Sequence, residues 1–285
     1  MVTKVFNSVG LVARVDRKEA LELAKELMDH LEAKGRPVFL EPRLAKNIGK
    51  LDAALSLKEM RVDLIITVGG DGTILRTCLL LPKPEPPILA INMGERGFLT
   101  EVPPKQGIMA VDKCLAGEFT LEHYTKLASF VDDSSLPDAL NEVFITTDAP
   151  AKLLYAKISK DSIPISECRA DGVIIASQVG STGYSLSAGG PVLDSDANAF
   201  VLTPVCSLSI FRSIVFSASS KIVVEVVRPR RAVVVIDGHY RREIGVYKKR
   251  VTITKSENKS SFIRFKGNFY RRLQGRLLYP RGERS

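Results

Sequence analysis

The segment VDLIITV, residues 62–68, constrains the fold most because it carries an apolar side chain at almost every position. A strand with one solvated face alternates apolar and polar residues, whereas a strand covered on both faces is apolar throughout. The segment TILRTCLLL that follows has a helical pattern ended by Pro82, and PPILAINMG then gives another apolar strand. This order predicts a parallel sheet with helices on both sides.

Residues 9–40 show the same alternation of strand and helix. VGLVAR, residues 9–14, and PVFLE predict two further strands, and the segment between them predicts a helix. Asp16 with Glu19 three residues later is typical of a capping box at a helix start, and Gly35 is typical of a helix end. The apolar face of this helix consists of Leu23, Leu27, Met28 and Leu31.

The pattern changes after about residue 118, where short strands separated by turn residues replace the helices. Strands are predicted in LEHYTKLASFVDD, DALNEVFITTD, AKLLYAKIS, DGVIIAS, KIVVEVV, RAVVVID and RVTITK. A chain of 285 residues is long enough for two domains. We expect an α/β domain over residues 1–117 and a mostly β domain over residues 118–265. The stretch from Phe269 has a helical pattern again, and we expect residues 266–285 to return to the first domain.

The net charge of +9 favours anionic partners such as nucleotides, polyphosphate or nucleic acid, although it also fits an ordinary solvated basic surface. The excess positive charge is concentrated in RPRR, RREIGVYKKR and YRRLQGRLLYPRGERS. No aromatic-interleaved RNA-binding motif or zinc finger accompanies these segments. We therefore do not expect a nucleic-acid partner.

Several classes of protein are not expected from the composition. The chain has no run of about 18 apolar residues and no signal-peptide layout at its N-terminus, so we expect no membrane partner and a cytoplasmic location. The three histidines are too widely separated for a histidine-rich metal site. The cysteines are tens of residues apart, which favours buried free thiols over a zinc knuckle or a disulfide framework. These residues are Cys78, Cys114, Cys168 and Cys206.

The sequence GGDGT, residues 69–73, follows the apolar strand and begins a helix. Ligands bind at this end of a parallel sheet, glycines let backbone N–H groups approach an anion, and a helix N-terminus favours negative charge. The motif is neither a Walker loop, since no Gly-Lys-Ser/Thr follows, nor the dinucleotide fingerprint. It predicts a phosphate site whose candidate residues are Gly69, Gly70, Gly72, Thr73 and Arg76.

Asp71, in the middle of this motif, would repel a bare phosphate. Contact with a magnesium ion, or acceptance of a proton from an attacking hydroxyl, would explain its position. The alternative is an aspartate that caps the helix in a tight turn. The residues alone leave these alternatives open.

A second dense stretch, DGVIIASQVGSTGYSLSAGGPVLDSD at residues 171–196, runs from a strand into a loop rich in Gly, Ser and Thr. Small hydroxyl side chains and free N–H groups suit a nucleobase and sugar hydroxyls, and Tyr184 can pack on an aromatic ring. Upstream, Asn141 could bind an adenine edge and Glu142 could accept two ribose hydroxyls. The alternatives are a capped turn that leads into a short helix, and ordinary loop polarity.

Six segments in this order resemble the NAD kinase family: GGDGT, NMGERGFLTEV, ALNEV, DGVIIASQVGSTGYSLSAGGPVL, LTPVCSLSIFRSIV and VVVIDG. The resemblance covers roughly residues 9–238. GGDGT alone is shared with diacylglycerol and sphingosine kinases and, approximately, with phosphofructokinases, whereas the GSTGYSLSAGGP loop is far more specific. The resemblance implies an NAD kinase-like fold and phosphorylation of the 2′-hydroxyl of the adenosine ribose of NAD, giving NADP. It also implies ATP or polyphosphate as donor, Mg²⁺ or another divalent metal, and a homodimer or homotetramer.

The resemblance implies that Asp71 contacts the acceptor ribose and is the candidate base, with general-base and positioning roles both open. Phe98 would pack near the adenine, and Arg212 would contact the donor phosphate. Asp171 and Asp237 would lie toward the nicotinamide. The other NAD-binding residues that the resemblance implies, with their neighbours in the same motifs, are Gly72, Asn141, Glu142, Thr182, Gly183, Tyr184, Ser187 and His239.

Three positions depart from the family pattern. Val179 lacks the hydroxyl usual there, which puts one polar contact to NAD in doubt, and Gly183 replaces a usual alanine and loosens the loop. Arg96 replaces an aliphatic residue and would reach either phosphate or solvent. The competing functions are another GGDG-type kinase of lipids or sugars, which would not need the GSTGYSLSAGG loop, and a non-catalytic protein that binds NAD or nucleic acid.

Overall fold

The computed structural model describes residues 6–94, 97–149, 152–208, 210–245, 250–265 and 269–277. None of the helices in these ranges is both long enough and apolar enough to cross a membrane. In chain order these helices are α1 (Lys18–Ala33), α2 (Pro42–Ile48), α3 (Asp71–Leu80), α4 (Gly107–Ala116), α5 (Tyr184–Ser187) and α6 (Phe269–Leu277).

The chain forms two compact units, one drawn from Met1–His123 with Ser260–Ser285 and the other from Tyr124–Lys259. The strands of the described residues are β1 (Val9–Ala13), β2 (Val38–Leu40), β3 (Leu64–Gly69), β4 (Ile88–Asn92), β5 (Thr120–Val131), β6 (Ser134–Ser135), β7 (Glu142–Thr147), β8 (Leu154–Lys160), β9 (Ile163–Ala170), β10 (Gly172–Ala176), β11 (Ala199–Val205), β12 (Ile214–Ser217), β13 (Ile222–Arg228), β14 (Ala232–Ile236), β15 (Tyr240–Ile244) and β16 (Arg250–Arg264). The chain passes from the first unit to the second within β5 and returns within β16.

The first unit contains a parallel sheet in the order β2-β1-β3-β4, which confirms the α/β class predicted for this part of the chain. Every residue of β3 is buried, as expected for an apolar strand covered on both faces. Val9 of β1 lies opposite Leu64, and Ile65 lies opposite Ile88 of β4. Phe262 of β16 also pairs in parallel with Ile88, so the returning chain extends this sheet.

The start of α1 differs from the prediction, whereas its end agrees. The residue before the helix is Arg17, which makes no side-chain capping bond. The Asp16 carboxylate instead accepts two hydrogen bonds of 2.7 Å from the Arg14 guanidinium. The predicted capping box of Asp16 and Glu19 is therefore wrong, because both oxygens of the Asp16 carboxylate bind Arg14 and not the helix N-terminus. Gly35 follows the last turn with φ of +69°, a conformation that glycine adopts without strain.

The second unit is mostly β, as predicted, and contains two sets of paired strands. One is an antiparallel sheet in the order β12-β11-β10-β7-β14-β15. In the other, the N-terminal part of β16 pairs with β13, β13 with β8, and β8 with β9. The helical turns of its described residues are α5 and a 3₁₀ turn at Gly180–Thr182 just before it. The loop between β10 and α5 therefore stands out as the irregular part of an otherwise β architecture.

The cysteines agree with the prediction at three positions of four. Cys78, Cys114 and Cys168 are buried thiols, and burial raises the pKa of Cys114 to about 12 and that of Cys168 to about 11. Cys206 is exposed, so the prediction is wrong there. The physical reason is its place: it directly follows β11 with φ of +50°, where the chain leaves the sheet.

Candidate functional site

GGDGT lies where the sequence predicts it, between the end of β3 and the start of α3. Gly70 precedes the helix with extended backbone, and Asp71 is the first helical residue. A Cβ atom at Gly69 would lie 2.4 Å from Thr73 Oγ1, so this junction is too tight for a side chain. Cβ atoms at Gly70 and Gly72 would meet open space, which leaves room for an anion beside the helix N-terminus.

The Asp71 carboxylate binds the backbone of the segment that follows β4. Its Oδ2 accepts a hydrogen bond from the Phe98 N–H at 2.9 Å, and its Oδ1 accepts one from the Leu99 N–H at 3.1 Å. Gly70, not Asp71, occupies the capping position of α3. The capping alternative is therefore not supported, and the two N–H groups fix the orientation of a charged side chain.

Phe98 lies in the same segment, and its ring is only 2% exposed. It packs edge-on against Phe269 of α6 with ring centroids 5.5 Å apart, and the Arg272 guanidinium lies 5.9 Å from its ring. The aromatic ring is thus buried inside the first unit in this structure. Arg96, the third departure from the family pattern, lies outside the described residues.

Arg76 of α3 is anchored by an acidic side chain of the same unit. Its Nη1 lies 3.0 Å from Glu41 Oε1, and both side chains are largely buried. Glu41 Oε2 accepts a hydrogen bond from the Leu44 N–H at the start of α2. The structure therefore joins α3 to α2 through Arg76, and its contact with a phosphate stays a prediction.

In the second unit, Asp237 organises the residues at the start of β7. Its carboxylate is 2% exposed and accepts backbone hydrogen bonds from Leu140 at 2.7 Å, Asn141 at 2.8 Å and Glu142 at 3.0 Å. Asp237 itself has φ of +49°, a strained conformation for a residue with a side chain. This placement favours a positioning role for Asp237 over direct contact with a ligand.

Asn141 and Glu142 each present a buried oxygen that lacks a hydrogen-bond partner among the described residues. These atoms are Asn141 Oδ1 and Glu142 Oε2. Buried polar atoms in folded proteins almost always have a partner, and leaving one unpaired costs about 1–3 kcal/mol. The adjacent pair of unpaired acceptors therefore marks a place prepared for a ligand that donates hydrogen bonds.

The electrostatics of this pair are set by burial. Burial, followed by the nearby charge of Asp237, raises the pKa of Glu142 to about 8. Burial also raises the pKa of Asp237, while its three backbone N–H donors and the charge of Lys126 oppose that rise. The two carboxyl groups cannot both ionise without cost, so Glu142 is the one that holds a proton at neutral pH.

Glu142 should therefore make folding stability depend on pH. Between about 4.5 and about 8 the folded protein keeps a proton that the unfolded chain has released, so this contribution to stability falls as pH rises. As pH rises through this window, the free energy of unfolding of Glu142→Gln should increase relative to that of the wild type, by up to ~1.4 kcal/mol per pH unit. Urea unfolding at a series of pH values measures the difference, with exposed Glu257→Gln as control. A difference that does not change with pH would contradict the assignment.

The loop at residues 177–183, which we call the GST loop, packs directly on the Asn141–Glu142 pair. The Ser177 N–H donates to the Asn141 carbonyl at 2.8 Å, and the Ser177 hydroxyl donates to the Leu140 carbonyl at 2.5 Å. A Cβ atom at Gly180 would lie 1.9 Å from the Asn141 carbonyl oxygen, so only glycine fits. At Gly183 a Cβ would lie 3.3 Å from Asn141 Nδ2 and 3.4 Å from Glu142 Oε2. Glycine at position 183 thus leaves space beside both polar side chains.

Tyr184 begins α5, and its side chain is partly packed against the protein and partly exposed to solvent. Its ring packs edge-on against Phe144 with centroids 5.2 Å apart, yet the residue is 42% exposed. Burial, with smaller contributions from Cys206, Asp171 and Glu142, raises the pKa of the Tyr184 hydroxyl. The ring therefore remains available for stacking on a ligand beside Glu142.

The other predicted residues of this unit lie around the same loop. The Thr182 hydroxyl donates to the Val179 carbonyl at 2.9 Å, and the Val179 side chain is buried, which suits its apolar character. His239 Nδ1 lies 2.7 Å from the Asp237 carbonyl oxygen. Asp171 precedes β10 and is exposed, and Ser187 is the exposed last residue of α5. Arg212 is exposed and lines a surface cavity of about 210 Å³.

The residues that sequence reasoning missed are those that hold the site together. Gly97 is one: a Cβ there would lie 1.7 Å from Thr100 Oγ1 and 3.2 Å from Asp71 Oδ1. Ser177 and Gly180 are the others, since they tie the GST loop to the backbone at Asn141. A glycine or small hydroxyl residue inside a dense motif is the available signal, but its partner is set by the tertiary fold.

A protein-built metal centre is not found in the described part of the chain, where no three His, Cys, Asp or Glu residues cluster to hold a metal ion. A Mg²⁺ ion in a phosphoryl-transfer site is commonly held by one or two carboxylates together with the substrate phosphates. Asp71, beside the open helix N-terminus, is a residue that fits this arrangement.

Comparison with known proteins places the chain in a family. The model of the ATP-NAD kinase N-terminal domain matches residues 9–119, and that of the ATP-NAD kinase C-terminal domain matches residues 140–265. The chain is 41% identical over 273 residues to an NAD kinase of Methanothermobacter thermautotrophicus, covering 95% of this chain and 96% of that one. It is 39% identical over 266 residues to an NAD kinase of Thermococcus kodakarensis, covering 92% and 95%. The chain therefore belongs to the NAD kinase family.

Solved structures agree with this assignment. A yeast NADH kinase complexed with NADH matches with a TM-score of 0.87 at 23% identity, covering 98% of this chain and 89% of that one, which shows the shared fold. An NAD kinase from Archaeoglobus fulgidus in complex with ATP matches with a TM-score of 0.76 at 29% identity, covering 94% and 98%. The predicted NAD kinase-like fold is confirmed.

Proposed function

We propose that this protein transfers a phosphoryl group from ATP to the 2′-hydroxyl of the adenosine ribose of NAD, giving NADP. The observation that carries the proposal is the pair of unpaired buried acceptors, Asn141 Oδ1 and Glu142 Oε2, in a member of the NAD kinase family. NAD carries matching donors on its adenine amine and ribose hydroxyls. Polyphosphate is a second candidate donor, and the proposed location is the cytoplasm.

The proposed NAD site lies in the second unit. Asn141 would accept a hydrogen bond from the adenine amino group, Glu142 would form hydrogen bonds with ribose hydroxyls through Oε2, and Tyr184 would stack on an exposed ring face. The absence of a side chain at Gly183 supports close approach of the ligand, because a Cβ there would lie 3.3 Å from Asn141 Nδ2 and 3.4 Å from Glu142 Oε2. Asp237 would hold the backbone of the pair in place through its three hydrogen bonds. Further candidate contacts are Thr182, Ser187, Asp171 and His239.

The proposed catalytic group is Asp71 in the first unit. A ribose hydroxyl is a poor nucleophile at neutral pH, and a carboxylate within hydrogen-bond reach that takes its proton contributes typically ~10²–10⁴-fold to the rate. The two N–H donors from Phe98 and Leu99 support this role because they fix the direction of the carboxylate. The divalent metal, when bound, would neutralise charge on the donor phosphates.

Donor phosphates would bind at the N-terminus of α3. The open space at Gly70 and Gly72 supports this, since the backbone there can approach an anion closely. Thr73 and Gly69 shape the same turn, and Arg76 lies on the following turn of α3. Arg212, exposed in the second unit, is a further candidate for the donor phosphate.

The test of this function is NADP formation. Purified protein with NAD, Mg²⁺ and either ATP or polyphosphate should produce NADP in a time-dependent manner, and omission of the donor should abolish it. The same assay with NADH, with diacylglycerol and with sugars establishes acceptor choice. Phosphorylation of a lipid or sugar without formation of NADP would overturn the proposal.

Truncation of Glu142 or Tyr184 should impair NAD binding more than folding. We expect Glu142→Ala and Tyr184→Ala each to raise KM for NAD about tenfold or more, the range expected for one lost hydrogen bond or stacking contact. Melting temperatures should change little, because Tyr184 is 42% exposed and Glu142 is a buried carboxyl with an unpaired oxygen. Steady-state kinetics and thermal melts check this, with exposed Glu257→Ala as control. A large loss of stability with an unchanged KM would instead show that both residues stabilise the folded structure and do not bind NAD.

A further inference from the structure

We propose that the C-terminal helix α6 and the end of β16 position the Asp71 carboxylate, through the backbone of Phe98 and Leu99. The residues that do so are Arg264, Phe269 and Arg272, which we call the C-terminal clamp. This inference rests on the proposed function for its kinetic consequence, but its structural consequence can be measured without any activity. All of the groups involved belong to the first unit.

Leu99 is held on both sides of its backbone. Its N–H donates to Asp71 Oδ1 at 3.1 Å, and its carbonyl accepts a hydrogen bond from Arg264 Nη1 at 2.9 Å. The Arg264 side chain is only 6% exposed. A buried guanidinium that donates to this carbonyl restricts where Leu99 can lie, and so restricts the carboxylate that the Leu99 N–H binds.

Phe98, the other donor to Asp71, is held by α6. Its ring packs edge-on against Phe269 with centroids 5.5 Å apart, and the Arg272 guanidinium lies 5.9 Å from the ring. These contacts combine an aromatic pair with a cation near an aromatic face. Displacement of α6 would therefore release the side chain whose backbone N–H donates to Asp71 Oδ2.

Glu122 links the two arginines of the clamp. Arg264 Nε donates to Glu122 Oε2 at 2.5 Å, and Arg272 Nη2 lies 2.8 Å and 2.9 Å from Oε1 and Oε2. The Arg272 side chain is 10% exposed, so little water competes for this network. Because the arginines share one carboxylate, loss of either one alters the setting of the other.

A small residue at the start of the segment completes the arrangement. A Cβ atom at Gly97 would lie 1.7 Å from Thr100 Oγ1 and 3.2 Å from Asp71 Oδ1. The segment can therefore approach the carboxylate closely only because position 97 has no side chain. The local geometry and the clamp thus favour the same position of the Phe98 and Leu99 N–H groups.

The test uses Arg272→Met, which keeps an unbranched, flexible stem of the side chain and removes its charge. Gln274→Ala, an exposed position on the same helix, is the matched control. Amide hydrogen exchange followed by NMR should be about tenfold faster or more at Phe98 and Leu99 in Arg272→Met, and unchanged in the control. Arg272→Lys should restore part of the protection. If Arg272→Met does not fold, Phe269→Leu replaces it in the same experiment.

Kinetics separate a positioning role from general support of the fold. Arg272→Met should lower kcat for NADP formation about tenfold, with KM for NAD nearly unchanged. When it is added to Asp71→Asn, it should lower the remaining kcat by less than about twofold. Full additivity with Asp71→Asn, or unchanged exchange at Phe98 and Leu99, would overturn the inference. If the wild-type protein forms no NADP, the proposed function fails. The exchange measurement alone then decides whether the C-terminal clamp orders Phe98 and Leu99.

Discussion

Replacement of Asp71 by Asn is expected to lower kcat for NADP formation at least ~10²-fold, the lower end of the effect of a lost general base. The amide keeps the size of the side chain but loses its charge and most of its basicity. It also has a single acceptor oxygen, whereas the carboxylate accepts hydrogen bonds from both Phe98 and Leu99. The variant should therefore have a lower kcat and a less ordered backbone at Phe98 and Leu99. The affinity of the proposed site in the second unit for NAD should be preserved.

Steady-state NADP formation and NAD binding by calorimetry measure these two effects separately. The exposed Asp29→Asn on α1 is the matched control, since it makes the same chemical change on the surface of the same unit. Near-wild-type turnover of Asp71→Asn would show that Asp71 serves only the fold, and the proposed mechanism would then be wrong.

The parts of the fold that sequence predicted are those with local signals. The buried β3 follows from its almost wholly apolar sequence, and the position of GGDGT follows from the strand before it and the helix after it. Two helices that were not predicted also carry local signals at their ends. Pro42 and the left-handed Gly49 bracket α2, and Gly117 in the same conformation ends α4.

Other elements gave no clear local signal. β9 and β15 are the outermost strands of their sheets, and most of their side chains are exposed or only partly buried. Their sequences therefore lack the regular alternation of apolar and polar residues that predicts a strand. The predicted capping role of Asp16 failed because a neighbouring arginine competed for its carboxylate, which a spacing rule does not consider. Side-chain competition of this kind is decided by three-dimensional position.

The candidate site divides in the same way. Residue types and motifs pointed to Asp71, Asn141, Glu142 and Tyr184 without knowledge of the fold. The hydrogen bonds that orient them come from residues far away in sequence, such as Leu99 for Asp71 and Asp237 for Asn141. Long-range partners of this kind depend on how strands are ordered in the sheet, so a single sequence indicates candidate site residues but not what holds them.

Asp237 offers the largest expected effect on stability. Its buried carboxylate accepts three backbone hydrogen bonds at the start of β7, and Asp237→Ala would leave those N–H groups unpaired away from water. An unpaired buried donor costs about 1–3 kcal/mol, and loss of one partner from a buried charged network costs about 3–5 kcal/mol. We therefore expect Asp237→Ala to lose about 3–5 kcal/mol in the free energy of unfolding. Asp237→Asn, which keeps one acceptor oxygen, should lose less.

Urea unfolding of both variants measures this order, with exposed Asp148→Asn as control. Removal of the Asp237 charge should also bring the pKa of Glu142 down toward its ordinary value, because that charge is the second cause of its rise. The fall in stability with pH that Glu142 produces should then become smaller in Asp237→Asn than in the wild type. If Asp237→Ala instead unfolds like the wild type and only NAD binding is weakened, the carboxylate contacts the ligand directly and does not position the Asn141–Glu142 backbone.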